Sequence, residues 1–209
     1  MTKELQPAYR KTTLALKPPT EGKGHRGVMK DLDEAAPRGV IAKPQPQILA
    51  EFFTSMLVLS AKFKYKPAVG VANYLYFMDG EWSLSLIAPD QWSESRRNAF
   101  AGLCTLQHDR TWTIKLTDEW DDKPEVVTAI RIAYEAFART LDHDGTLEEV
   151  LPFYVANLPY HQRVNAHALG MSIRAKMTLG DQSDIPAREW LPALPDLSAD
   201  VADGSEPAD

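Results

Sequence analysis

Residues 73–92, "NYLYFMDGEWSLSLIAPDQW", read as two strands folded over a tight turn. Asp79-Gly80 is the turn signal, because a two-residue hairpin needs positive φ and glycine reaches it without a Cβ penalty. Counting by twos, Tyr74, Tyr76 and Met78 fall on one side of the first strand and Leu75 and Phe77 on the other. Trp82, Leu84 and Leu86 alternate with the less apolar Ser83 and Ser85. The first strand is therefore apolar on both sides. A sheet built on it either curls into a small barrel or has a helix on one side and another element on the other.

Working outward, a second pair of strands follows, "FAGLCTLQ" and "TWTIKL", joined by "HDR", with Trp112, Ile114 and Leu116 alternating against Thr111, Thr113 and Lys115. Before the hairpin, Ile48, Leu49, Phe52, Phe53, Met56, Leu57 and Leu59 recur at helical spacing up to about Lys62, which predicts a helix laid on the sheet. After Leu116 the chain reads helical. "DDKPEVVTAIRIAYEAFARTLD" opens with an acidic cap and a first-turn proline and keeps the helical period through Val126, Ile130, Phe137 and Leu141. Thr146 and Glu149 have capping-box spacing and open "LEEVLPFYVAN", while Pro159 starts a third helix that Gly180 ends.

The expected architecture is α+β: a small twisted antiparallel sheet or barrel covered by a helix, followed by a three-helix section. Residues 1–46 read as a disordered basic arm, 47–122 as the helix plus β core, 123–180 as a helical section packed on that core, and 181–209 as an acidic tail. Charge follows these divisions. Residues 1–46 carry nine Lys/Arg against five Asp/Glu, and residues 181–209 one against eight. In the tail, Trp190, Leu191, Leu194 and Leu197 are spaced to dock on this chain or another. No apolar run reaches the ~18 residues of a membrane span. The single cysteine, Cys104, excludes an internal disulfide and a multi-cysteine zinc site. A cytoplasmic location without membrane contact is expected.

From Leu57 to Leu116 the chain resembles a bacterial and eukaryotic family catalogued only as a domain of unknown function. The likeness is carried by "SAKFKYKPAVG", Tyr74-Leu75-Tyr76, Leu84-Ser85-Leu86-Ile87-Ala88-Pro89 with Trp92, Phe100 with Gly102, and His108-Asp109 followed by Trp112. The resemblance supports the sheet region and implies no activity. Some bacterial relatives carry a GTP-binding label, but no G-x-x-x-x-G-K-[ST] occurs here. Gly22, Gly24 and Gly27 match G-x-G-x-x-G without the strand and helix that such a loop needs.

No catalytic cluster stands out. The segment "DHDGTLEEV" has part of a calcium-loop pattern but, in that register, Thr140 and Leu151 occupy the first and last ligand positions. Cys104 and His108, four apart on one strand, are about 13 Å apart and out of hydrogen-bond reach. His161 and His167 do not share a helix face. No metal and no cofactor are expected. The aromatic rings Tyr74, Tyr76, Trp82, Trp92 and Trp112 either fill a core or floor a groove for a peptide or base. Trp92 is the ring expected to be partly exposed, because Pro89 and "SESRRN" put it at a strand's end. The leading expectation is a non-enzymatic binding or adaptor module that recognises a protein segment through this aromatic set. The alternatives are an acid–base enzyme using His108 and Asp109, or nucleic-acid binding through the basic arm, which the acidic core and tail argue against.

Overall fold

The computed structural model describes residues 25–119, 122–153 and 155–194, the side chains of residues 25 and 26 excepted. The basic residues 1–24, with Gly22 and Gly24, and the tail from residue 195, with Leu197, lie outside the described residues.

The hairpin forms as its turn residues dictate. Strands β1 (Ala72–Met78) and β2 (Glu81–Ser85) close through the pair Met78–Glu81, with Asp79 and Gly80 at φ 55° and 76°. Two consecutive positive φ values match the right-handed twist of the flanking strands. Strands β3 (Phe100–Leu106) and β4 (Trp112–Leu116) complete an open four-stranded antiparallel sheet in the order β2-β1-β3-β4. The barrel alternative is not formed. A bulge interrupts the β1–β3 ladder: Leu75 faces Gly102 and Tyr76 faces Phe100, leaving Ala101 as the extra residue.

Gly102 sits where β3 and β4 come closest. A Cβ there would lie 2.6 Å from the Lys115 carbonyl oxygen and 3.1 Å from Leu116 Cα, both backbone and unable to yield without moving a strand. Gly102→Ala should destabilise the protein by about 1–3 kcal/mol. Urea unfolding of the variant measures it.

Alternation along the strands separates two faces. Leu75, Leu84, Cys104, Leu106 and Trp112 point toward helix α2 (Gln45–Ser60), which contributes Leu57 and Val58, and helix α4 (Pro124–Leu141), which contributes Val126 and Ile130. The opposite face carries Tyr74, Tyr76 and Phe100 and has no long helix over it. The segment after β2 crosses part of it: a 3₁₀ turn at Pro89–Gln91 and the short helix α3 (Glu94–Asn98).

Helix α2 has apolar residues on two faces, as a helix between two cores needs. Its Ile48, Leu49, Phe52 and Leu59 face a second core with Phe137 and Leu141 of α4, Leu169, Ile173 and Met177 of helix α5 (Tyr160–Leu179), and Trp190 of helix α6 (Ala187–Trp190). Phe53 touches both cores.

Three expectations are corrected. The arm of 1–46 is not free of packed structure throughout: His25–Glu34 form helix α1, held against α5 by Leu32, Ala35, Val164 and Ala168 and by the Tyr160 hydroxyl donating to Asp31 at 2.9 Å. The expected helix "LEEVLPFYVAN" is a single 3₁₀ turn, Leu147–Val150. Pro152 forces Leu151 out of the helical region, to ψ 139°, so the helical section has two long members and the four-residue α6. Residues 181–194 do not trail away as an acidic tail: Trp190 is completely buried, and Leu191 and Leu194 pack on the same core.

Candidate functional site

The face that the long helices leave open holds a cleft of ≈280 Å³ between the strands and the segment that follows β2. Its floor is Tyr76 and Met78 of β1 with Ser83, Leu84 and Ser85 of β2, and its walls are Ile87, Trp92, Arg96 and Ala99. Local chemistry puts those walls in place. The Tyr76 hydroxyl donates to the Ile87 carbonyl at 2.9 Å, and Ser85 Oγ accepts from the Ile87 N–H at 3.0 Å, so the chain leaving β2 is folded back over the sheet. Pro89 then starts the 3₁₀ turn, at a position that needs no N–H. Trp92 follows with its indole against the cleft, and Arg96, four residues on, lays its guanidinium over that ring with Cζ 4.2 Å from the centroid.

Burial pushes the Tyr76 phenol up to about 12, with the Trp92 indole pulling the other way, so the hydroxyl stays protonated as a donor. The Trp92 Nε1 atom is itself buried and has no hydrogen-bond partner of ordinary geometry among the described residues. Leu86 and Ile87, next to the cleft, are exposed.

The five aromatic candidates are not one surface. Trp92 and Tyr76 line the cleft. Tyr74 shares their face and lies against Phe100, ring centroids 6.2 Å apart, without lining it. Trp82 packs on Phe77 at 4.8 Å on the helix-covered face, and Trp112 is fully buried there with its backbone N–H donating to Ser55 Oγ of α2 at 2.9 Å. The period-two pleat separates them: Trp82 stands opposite Phe77, not opposite Tyr76. Sequence reasoning misses Arg96, although its four-residue spacing from Trp92 is a usable signal.

His108 and Asp109 point different ways from the β3–β4 turn. His108 is exposed, and its carbonyl accepts from the Arg38 N–H at 3.0 Å. Asp109 is buried. Its Oδ1 accepts from the Thr111 N–H at 3.1 Å and the Thr111 hydroxyl at 2.6 Å, and its Oδ2 faces Lys176 Nζ at 2.8 Å and Lys43 Nζ at 3.7 Å. Glu51 completes the group, accepting from Lys176 and Lys43 at 2.5 Å each. Two ammonium and two carboxylate groups thus converge from α2, the β3–β4 turn, α5 and the segment before α2. The only sequence hint is Lys176 at the apolar period of Leu169, Ile173 and Met177. None of the four lines the Trp92 cleft or the smaller cavity between α1 and α5.

Although burial alone would raise it, the Asp109 carboxyl is held down at about 2 by Lys176 and by both Thr111 donors. A depressed folded-state value means that the ionised carboxylate stabilises the fold above the unfolded-state value of about 4, and that this contribution is lost as pH falls toward 2. Acid unfolding of Asp109→Asn should accordingly be flatter between pH 4 and pH 2 than that of the unsubstituted chain; circular dichroism along a pH series reads the difference.

Cys104 is buried on the core face, and burial pushes its thiol up to about 12, which makes it a packing residue. The acidic segment 142–150 is held by Arg188, which donates to Asp142 at 3.0 Å and Asp144 at 2.7 Å. Among the described residues no three His, Cys, Asp or Glu side chains are placed to hold a metal ion, and no helix is long and apolar enough to cross a membrane.

Residues 42–131 match the family described as "Protein of unknown function (DUF2452)". The DUF2452 span runs from the foot of α2 into α4 and encloses the resemblance carried by residues 57–116. It holds the whole Trp92 cleft together with Lys43, Glu51 and Asp109, but neither Lys176 nor Trp190. No curated protein and no solved structure is similar to the chain.

Proposed function

We propose that this protein is a binding or adaptor module that recognises a segment of another protein in the cleft beside Trp92. One observation carries the reading: the sheet face without a long helix bears a concave site whose wall is a partly exposed tryptophan with an arginine laid over its ring. Tryptophan and arginine are the side chains that most often dominate binding energy at an interface, and the two are stacked on each other here. The exposed Leu86, next to the cleft wall Ile87, extends the apolar surface beyond the cleft, as an extended ligand requires. The acid–base alternative has less support, because the Asp109 carboxylate is already engaged by Lys176 and Thr111 while His108 faces away. A cytoplasmic setting goes with the reading, since the lone cysteine is a buried thiol and no disulfide is called for.

Selection of a displayed library of random short peptides on the immobilised chain tests it. Trp92→Ala should reduce the affinity of the selected peptides at least about tenfold while leaving the unfolding midpoint close to that of the parent. Equal binding by the variant rules the cleft out.

A further inference from the structure

We infer that the segment taken by the Trp92 cleft is acidic, with a carboxylate set against Arg96 and a neighbouring aliphatic side chain against Met78 and Ile87. This rests on the reading of the cleft as a binding site.

Among the residues lining the cleft the one charged side chain is that of Arg96, a donor. The indole Nε1–H of Trp92 can only donate, and the acceptor beside it is the Tyr76 hydroxyl oxygen, outside ordinary hydrogen-bond geometry. The Arg96 guanidinium likewise only donates; it is held over the indole at 4.2 Å and makes no ion pair among the described residues. Ser85 Oγ takes the Ile87 N–H, and the Ile87 carbonyl takes the Tyr76 hydroxyl. No residue lining the cleft is an aspartate or glutamate. The carboxylates that flank Trp92 and the hairpin turn, Asp90, Glu94, Asp79 and Glu81, do not line it, although the Asp90 charge reaches the Tyr76 phenol, and Arg97 adds a second exposed cation beside Arg96.

A carboxylate entering this site would accept from the planar guanidinium, whose stacking on Trp92 holds it in place with little rotamer freedom left to lose. A basic segment would meet the like charges of Arg96 and Arg97. Met78 and Ile87 offer an apolar wall within the same cleft, so the fitting segment pairs an acidic residue with an aliphatic one.

The random-peptide library, panned against the full chain and its variants, separates the outcomes. Peptides selected by the unsubstituted chain should be enriched for Asp or Glu beside an aliphatic residue. Arg96→Glu should lose that enrichment, and the affinity of a selected acidic peptide, followed by fluorescence anisotropy, should fall at least about tenfold. Selection without an acidic bias, or the same bias from Arg96→Glu, overturns the acidic assignment and leaves the cleft as a site. Equal binding by Trp92→Ala, or no selection at all, overturns both. Residues 195–209 carry five Asp/Glu and no Lys or Arg. If only a chain ending at Leu194 selects acidic peptides, the occupant is this chain's own tail and the assignment to a partner protein is overturned.

Discussion

Replacing Lys176 by methionine should destabilise the protein by about 3–5 kcal/mol. The ammonium is completely buried and lies 2.5 Å from Glu51 and 2.8 Å from Asp109. Methionine matches the stem in length but leaves two nearly buried carboxylates with Lys43 as their one remaining cation. Breaking a buried pair from one side is costly because the surviving charge has lost both water and its counterion; the pair itself contributes far less than the loss suggests. The same argument predicts strong coupling. Once Lys176 is gone, Asp109→Asn removes a stranded charge, so the double variant should be more stable than the sum of the two single losses by about 0.5–3 kcal/mol. Chemical denaturation of the two single variants and the double variant measures both quantities. A loss below about 1 kcal/mol for Lys176→Met would mean that the four groups are solvated and the network is incidental.

Trp190→Ala should cost a similar amount, about 3–5 kcal/mol. The indole is fully buried among residues of α2, α4 and α5, and its removal opens a large cavity in the core that those three helices share. Thermal unfolding measures the loss. The outcome also tests the organisation of the chain: if residues 181–194 were a solvated tail, the substitution would be nearly neutral. Trp190 and Lys176 both lie outside the DUF2452 span. Two large losses there would show that this span relies on the helices after it, because Ile48, Leu49 and Phe52 of α2 are buried against them.

The hairpin, its turn and the helices α2, α4 and α5 are legible in the sequence because their signals are local. Asp79-Gly80 carries positive φ wherever two strands must meet so tightly, and Pro124, Pro159 and Gly180 mark helix ends by backbone chemistry alone. Helix α1 escapes a reading by periodicity because Leu32 and Ala35 make too short an apolar pattern to register; packing on α5 holds it. The segment after Thr146 misleads in the other direction, since its cap is genuine but Pro152 stops the helix within a turn.

The candidate site is half legible. Trp92 stands out from Pro89 and the polar run that flank it, and Tyr76 from its strand. Arg96 does not, although it lies within a few residues of Trp92. The grouping of Trp82 and Trp112 with them fails on the pleat: both sit on the helix-covered side.

Local chemistry along the chain dictates the antiparallel hairpin, the helical periods and the lack of a disulfide, since the first two depend on residues within a few positions of one another and the third on a single count. Which aromatic rings are core and which frame a cleft emerges only when the sheet and helices pack, and the same packing alone assembles Lys43, Glu51, Asp109 and Lys176. Burial and long-range charge pairing are properties of segments far apart in the chain, and no local spacing encodes which of them will meet.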